Sequence, residues 1–353
     1  MITNRARLAS KLDGGFVDSL LEKITSAGGE CVTEVPYPFS GAALARTLKP
    51  HFNANTFRGV VLLGDYDVVA PARFDCLPRE IREALAGSED DPDNFLVWSD
   101  LPYASIDEDE TPELPVSRIP DAHSEELIAR CLAALPPASR KFMFRNINRP
   151  FADGVFAAAP GTTTRGVTSA ATRPDDLTTN DLGQSHLYFM LHGSDFDAER
   201  FWGEEDGSYP EAVNRASFES NIGGVVFAGC CWGALIGREP ASRVVSGDPP
   251  PSRAIQSSIA LTCLMRGASA FVGCTGAHYS PLEKPFNYYG KPLHNLFWAA
   301  IAEGRRPAEA LFVARQAYLK NIPHRTSNGN ASVADVAVEF KLYHQFTCLG
   351  FGW

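Results

Sequence analysis

Short unbroken apolar runs alternate along this chain with stretches in which apolar residues recur every third or fourth position. Residues 187–191 (Leu-Tyr-Phe-Met-Leu) and 224–228 (Gly-Val-Val-Phe-Ala) are the clearest runs, and 59–65, 142–144 and 267–273 are of the same kind. Runs this short, with no polar alternation, predict strands buried on both faces, as in parallel sheets. Helical spacing marks 16–24, 41–48, 124–135, 254–266, 292–302 and 307–322, the last with Pro307 in its first turn. Strand and helix in alternation predict an α/β fold, a mostly parallel sheet flanked by helices.

Weaker patterns fill the remainder. Residues 1–3 and 31–35 are expected to be short strands, 71–93 a loop-rich helical insert, and 94–103 a strand with a turn behind it. The acidic stretch 107–110 reads as a solvated turn. Residues 113–120 are expected at a sheet edge, because proline is tolerated there and not in sheet centres. Residues 151–182, rich in Ala, Thr, Gly and Asp, suggest a short helix and a surface loop. Residues 331–345 carry strand-like patches. At 135–139 (Leu-Pro-Pro-Ala-Ser) two prolines and small residues break a helix before a new strand, which makes this the linker between segments 1–138 and 139–353.

Composition narrows the function. The chain has 353 residues, 44% of them hydrophobic, enough for a substantial core. A net charge of −10 without a cluster of Lys and Arg excludes a general nucleic-acid binder. No apolar run is long enough to span a bilayer and the N-terminus has no secretory pattern, so a soluble, cytoplasmic protein without a membrane partner is expected. The eight cysteines are thinly spread, without CxxC pairs, and are expected to be reduced thiols rather than disulfides or metal ligands. Neither GxGxxG nor a Walker A loop occurs, so no nucleotide cofactor is expected, nor a metal.

The chemistry lies where the two clearest runs end. The first delivers His192-Gly193-Ser194 and the second Gly229-Cys230-Cys231-Trp232-Gly233. Ligands of parallel sheets gather beyond the carboxyl ends of the strands, so a His and a Cys are expected to meet there. A thiol becomes a strong nucleophile once an imidazole takes its proton. Gly193 would let a substrate approach, while Gly229 and Gly233 would allow a tight turn whose amides hold an oxyanion. Taken singly, a His at a strand end is more often a satisfied polar residue and a buried Cys a core residue.

Several segments in order carry a resemblance. The chain resembles the caspase–haemoglobinase fold of cysteine peptidases, and the gingipain family most. The shared pattern is an apolar strand ending in His-Gly-Ser followed by one ending in Cys-x-x-Gly, here His192-Gly193-Ser194 and Cys230 to Gly233. Residues 61–65, 99–103 leading to 112–120, and 265–273 are similar to further family segments in the expected order. The resemblance implies two tandem α/β subdomains, 1–138 and a catalytic 139–353. It implies a cysteine endopeptidase acting on a protein or peptide substrate, with an activating protein partner and a regulated intracellular role in defence or cell death. Cys-x-x-Gly spacing selects Cys230 as nucleophile, whereas Cys-x-Gly would select Cys231. His192 would be the acid–base, and the amides of Gly193 and Cys230 would hold the oxyanion. The family's acid behind the His is missing after the 142–144 strand, where Arg145-Asn146-Ile147-Asn148 follow; Asn148 or Asp153 would substitute. Glu283 would pair with a basic P1 side chain, with Asp195 and Asp197 as rivals. The missing acid also leaves open a catalytically weak scaffold that binds partners. A vicinal disulfide or redox sensor is a further reading of the Cys pair. A hydrolase using Ser194 lacks its G-x-S-x-G setting.

Overall fold

The computed structural model describes residues 1–35, 48, 51, 57–85, 91–105, 111–133, 140–219, 221–245, 250–327 and 332–353. The helix expected at 41–48 falls, Leu48 apart, outside them, as do the acidic stretch 107–110 and the linker 135–139.

Twelve strands are found among the described residues: β1 (Val60–Leu63), β2 (Ala72–Asp75), β3 (Leu96–Ser99), β4 (Val116–Ile119), β5 (Arg140–Asn146), β6 (Thr162–Ser169), β7 (His186–Met190), β8 (Arg200–Trp202), β9 (Glu211–Asn214), β10 (Val225–Ala228), β11 (Ala270–Cys274) and β12 (Phe346–Leu349). Eight form one sheet in the order β1-β4-β12-β11-β10-β7-β5-β6. All neighbours run parallel except β11 and β12, so β12, β4 and β1 point opposite to the other five. The mainly parallel α/β sheet expected from the apolar runs is present, and β1, β7, β10 and β11 are buried at every position. Two antiparallel hairpins, β2–β3 and β8–β9, stand outside it.

Two helix groups flank the sheet. Helices Phe151–Ala158, Gly290–Ala302 and Pro307–Ser327 pack side by side, and Glu125–Leu132 packs on Ile259–Met265. Beneath the central strands, Phe227 of β10 meets Tyr188 of β7, Phe346 of β12 and Phe297 and Trp298 of the Gly290–Ala302 helix. Offset and edge-on ring contacts of this kind add about 0.5–1.5 kcal/mol each beyond the area they bury. Among the described residues no helix is long and apolar enough to cross a membrane.

Several expectations change: residues 1–3 make isolated bridges rather than a strand, and 71–93 contains strand β2 beside its helix. Residues 113–120 lie inside the sheet, with β4 between β1 and β12. Pro115 and Pro120 flank the strand without interrupting its ladder, and the Pro115 carbonyl accepts Val60 N–H at 2.8 Å. Arg118 is buried there because its guanidinium is fully answered: by Asp100 at 2.6 and 3.0 Å and by the carbonyls of Gly64 and Val69 at 2.9 and 2.8 Å. Of the stretch 331–345, the described residues form a helix, Val333–Gln345, started by a capping box between Ser332 and Asp335. Its valines suggested a strand, yet Ala337, Val338 and Leu342 share the helical spacing of one buried face. Residues 31–35 make only single bridges, to Ile2 and Asn4. The stretch 151–182 holds a whole strand, β6, whose Thr-rich, half-solvated sequence has no apolar run because it forms the sheet edge.

Candidate active site

Strands β5, β7, β10 and β11 run parallel and end at one edge of the sheet, in nearly level register. Past those ends, Asn146, His192, Cys231 and His278 line a small, partly open cavity together with Arg149 and Ser280. A His and a Cys therefore line one cavity where the two apolar runs stop.

The cysteine that lines this cavity with His192 is Cys231, not Cys230. Cys230 is 0% exposed in the core, where its thiol makes a backbone hydrogen bond with Leu191 and burial pushes its pKa far up. A turn separates the two side chains. Trp232 adopts φ 50°, a left-handed conformation that costs a bulky residue on the order of 1–3 kcal/mol. It is held there by its own N–H on the Gly276 carbonyl at 2.8 Å and its indole N–H on Asp93 Oδ1 at 3.1 Å. The left-handed residue of this turn is thus Trp232 and not a glycine. Gly229 and Gly233 matter instead for space: a Cβ on Gly229 would stand 2.7 Å from the His294 ring. Gly193 is needed most, since its Cβ would lie 2.0 Å from the Cys231 carbonyl oxygen.

Burial raises the Cys231 thiol above its ordinary pKa, although the His278 amide, the Lys341 ammonium and the Gly193 amide all favour the thiolate. The His278 N–H reaches Sγ at 3.3 Å. The His278 imidazole itself is no acid–base candidate. It is half-buried and stacked on His294, with Nε2 to Nε2 at 3.1 Å, and withdrawal from water lowers its pKa to about 3.

His192 is fixed from the side of hairpin β8–β9. It bridges Trp202 through two backbone hydrogen bonds of 2.8 and 2.9 Å, which brings Glu204, two residues further, to the imidazole. Glu204 Oε2 lies 3.1 Å from Nε2, and Asn146 Nδ2 lies 2.9 Å from Nε2 and 3.2 Å from Oε2. Burial alone would raise the Glu204 pKa, but hydrogen bonds from His192, Asn146 and Asn148 outweigh it and hold the carboxyl below its usual range. An ionised carboxylate only accepts, so Nε2 carries the hydrogen and donates to Glu204, while the Asn146 amide donates to the second lone pair. Among the described residues no hydrogen bond engages Nδ1, which leaves it basic. Burial lowers the His192 pKa, the Glu204 bond partly restores it and Arg149 lowers it further, so the ring is neutral at pH 7.

The other expected residues are scattered. Asn148 reaches Glu204 and not the imidazole. Asp153 faces away, paired with Arg145 at 2.8 Å. Glu283 is exposed on the loop after β11 and is not in the cavity lining. Asp195 is buried against Arg243, and Asp197 pairs with Arg200 at 3.3 Å. Sequence reading missed Glu204 and Asn146. The signal for Glu204 was the Asp206-Gly207 turn, with φ of 47° and 79°, the strongest short hairpin marker, which would have placed 200–214 as a hairpin beside the His.

No protein-family model matches the chain, and no curated protein matches it by sequence. Solved structures do match by fold. Gingipain R, an Arg-specific cysteine proteinase, aligns with a TM-score of 0.60 at 11% identity over 96% of this chain and 74% of its own. A second, described simply as a protease, aligns at 0.57 and 13% identity over 96% and 75%. The chain has the caspase-like α/β fold of cysteine peptidases.

Proposed function

We propose that this chain is a cysteine endopeptidase in which Cys231 is the nucleophile and His192 the acid–base. The observation that carries this reading is the cavity lined jointly by Cys231 and His192, with Glu204 and Asn146 behind the imidazole. His192 Nδ1 takes the thiol proton as Sγ attacks the peptide carbonyl carbon. The oxyanion that forms is held by the amides of Gly193 and Cys231. The protonated imidazole then gives its proton to the leaving amine, and Glu204 stabilises the imidazolium between the two transfers. Water, activated by the same nitrogen, releases the acyl group.

Exposed apolar side chains support a peptide as substrate. Of six large exposed hydrophobic residues among the described ones, four sit on loops that feed the cavity: Ile147, Phe196, Tyr209 and Leu282, 54–76% exposed. Tyr209 meets the His192 ring edge-on at 5.0 Å. The neutral resting pair supports regulated cleavage, switched on when a substrate or activating partner excludes water, as a role in a defence or cell-death pathway would need. The weak-scaffold reading drew on a missing acid and on the ambiguity of the thiol pair; Glu204 behind the ring counters the first of these.

Iodoacetamide labelling with mass-spectrometric mapping, run beside cleavage of a peptide library, tests the reading. Cys231 is expected to react first, Cys230 only after unfolding, and Cys231→Ala and His192→Ala are both expected to abolish cleavage. Preferential labelling of Cys230, or cleavage that survives Cys231→Ala, would sink it.

A further inference from the structure

The cavity holds one formal charge that the reaction does not use. Arg149 lines it beside Cys231 and His192, half-buried. Two bonds fix the guanidinium plane: Nε donates to Ser280 Oγ at 2.8 Å and Nη1 to the Asn148 carbonyl at 3.1 Å. Nη2 has no acceptor among the described residues, and Arg149 makes no ion pair there. Arg118, by contrast, is bound bidentately by Asp100, and the buried Arg253 and Arg315 are answered at both Nε and Nη2 by backbone carbonyls.

Nearby carboxylates are already engaged. Glu204 accepts from His192, Asn146 and Asn148. Asp91 and Asp93 are bound by Lys341, and also by Tyr279 at 2.6 Å and the Ala277 amide at 2.6 Å. Withdrawal from water already disfavours the charge on Arg149, whose pKa is pushed below its ordinary value. A half-buried cation in a cavity, with a free donor edge, is a receptor for an anion, and guanidinium matches a carboxylate in shape as well as charge. A basic substrate side chain would meet like charge in the same space.

We infer that Arg149 selects substrates by binding an acidic side chain, Asp or Glu, in the residue seated beside Cys231. This rests on the peptidase reading of the site and replaces the basic preference that Glu283 suggested, since Glu283 lies outside the cavity lining.

Binding to a protein that cannot turn over tests it separately from catalysis. Dye-labelled tetrapeptide amides ending in Asp, Glu, Asn or Arg are titrated into Cys231→Ala protein by fluorescence polarisation, with an Asn peptide bearing a free C-terminal carboxylate as a further arm. The Asp and Glu amides are expected to bind roughly tenfold or more tightly than the Asn and Arg amides. That advantage is expected to vanish with Arg149→Gln added and to turn toward the Arg peptide with Arg149→Glu. Equal or tighter binding of the Arg peptide, an acid preference that survives Arg149→Glu, tightness confined to the free-carboxylate arm, or no binding of any peptide would each overturn the inference. Wild-type cleavage after basic residues would leave the peptidase reading standing and this one fallen. Acidic peptides that bind Cys231→Ala but are never cut by wild type would do the reverse.

Discussion

At the scale of single residues, the site is set by which of two adjacent thiols is turned outward and how far each reacting group is from water. Burial raises Cys231 and lowers His192, so both are neutral at pH 7, a thiol beside an imidazole rather than an ion pair. The sign of the pH dependence follows. Protonated His192 cannot accept a proton, so kcat/KM is expected to rise with pH along a limb below the ordinary imidazole value near 6.5. Alkylation of Cys231 in the absence of substrate is expected to keep rising past pH 9, where a thiolate–imidazolium pair would have reached its plateau near neutrality. Glu204→Gln removes a bond that raises the His192 pKa and holds its tautomer. It is expected to move the acid limb to lower pH and to slow turnover on the order of a hundredfold or more. A stopped assay across pH 4–10 checks both; an acid limb unmoved by Glu204→Gln would count against its place behind the ring.

At the scale of elements, the turn carrying Cys231 is held from behind by a buried charge cluster. Lys341 of the Val333–Gln345 helix is wholly buried and pairs with Asp93 at 2.7 Å and with Asp91. Asp93 in turn binds the Trp232 indole and the Ala277 amide, on the two loops that enclose Cys231. Lys341→Met would leave two carboxylates buried without their cation, and a loss of about 3–5 kcal/mol is expected, read as a lowered urea midpoint. Cys231 labelling at midpoint-free urea concentrations is expected to change as well, since the turn loses its anchor. Elements such as β1, β7, β10 and β11 were legible because their runs are apolar at every position, which only a strand buried on both faces requires. The Val333–Gln345 helix was not, because its polar Glu339, Lys341 and Gln345 are buried and blur the periodicity. The site divided in the same way. His192 and the Cys pair stand at strand ends and could be read, whereas Glu204 comes from a hairpin and Arg149 from a turn, and their approach to the cavity depends on packing between segments far apart in sequence.

At the scale of the whole molecule, β12 joins two sets of parallel strands that face opposite ways. Its residues Phe346 to Leu349 pair antiparallel with β11, and Leu349 bridges Arg118 of β4. Beyond it, Trp353 donates to Ser117 Oγ at 3.2 Å, and Ser117 donates to the Phe351 carbonyl at 2.7 Å. Removing residues 346–353 would expose the backbone edges of β4 and β11 together. The shortened chain is expected to lose its cooperative unfolding transition and to aggregate, checked by circular dichroism and size-exclusion chromatography. A truncated chain that stays monomeric with an unchanged midpoint would show that the two strand sets hold together without it.

The position of β12 also bears on timing. Of the eight strands in the sheet it is the last to leave the ribosome, and Lys341, which secures the Cys231 turn, emerges only just before it. A chain made only as far as β11 has the strands β5, β7, β10 and β11 that carry His192 and the Cys pair, but in it the Cys231 turn lacks the Lys341 cluster that anchors it, so Cys231 is expected to take its final setting only once the Val333–Gln345 helix and β12 have followed.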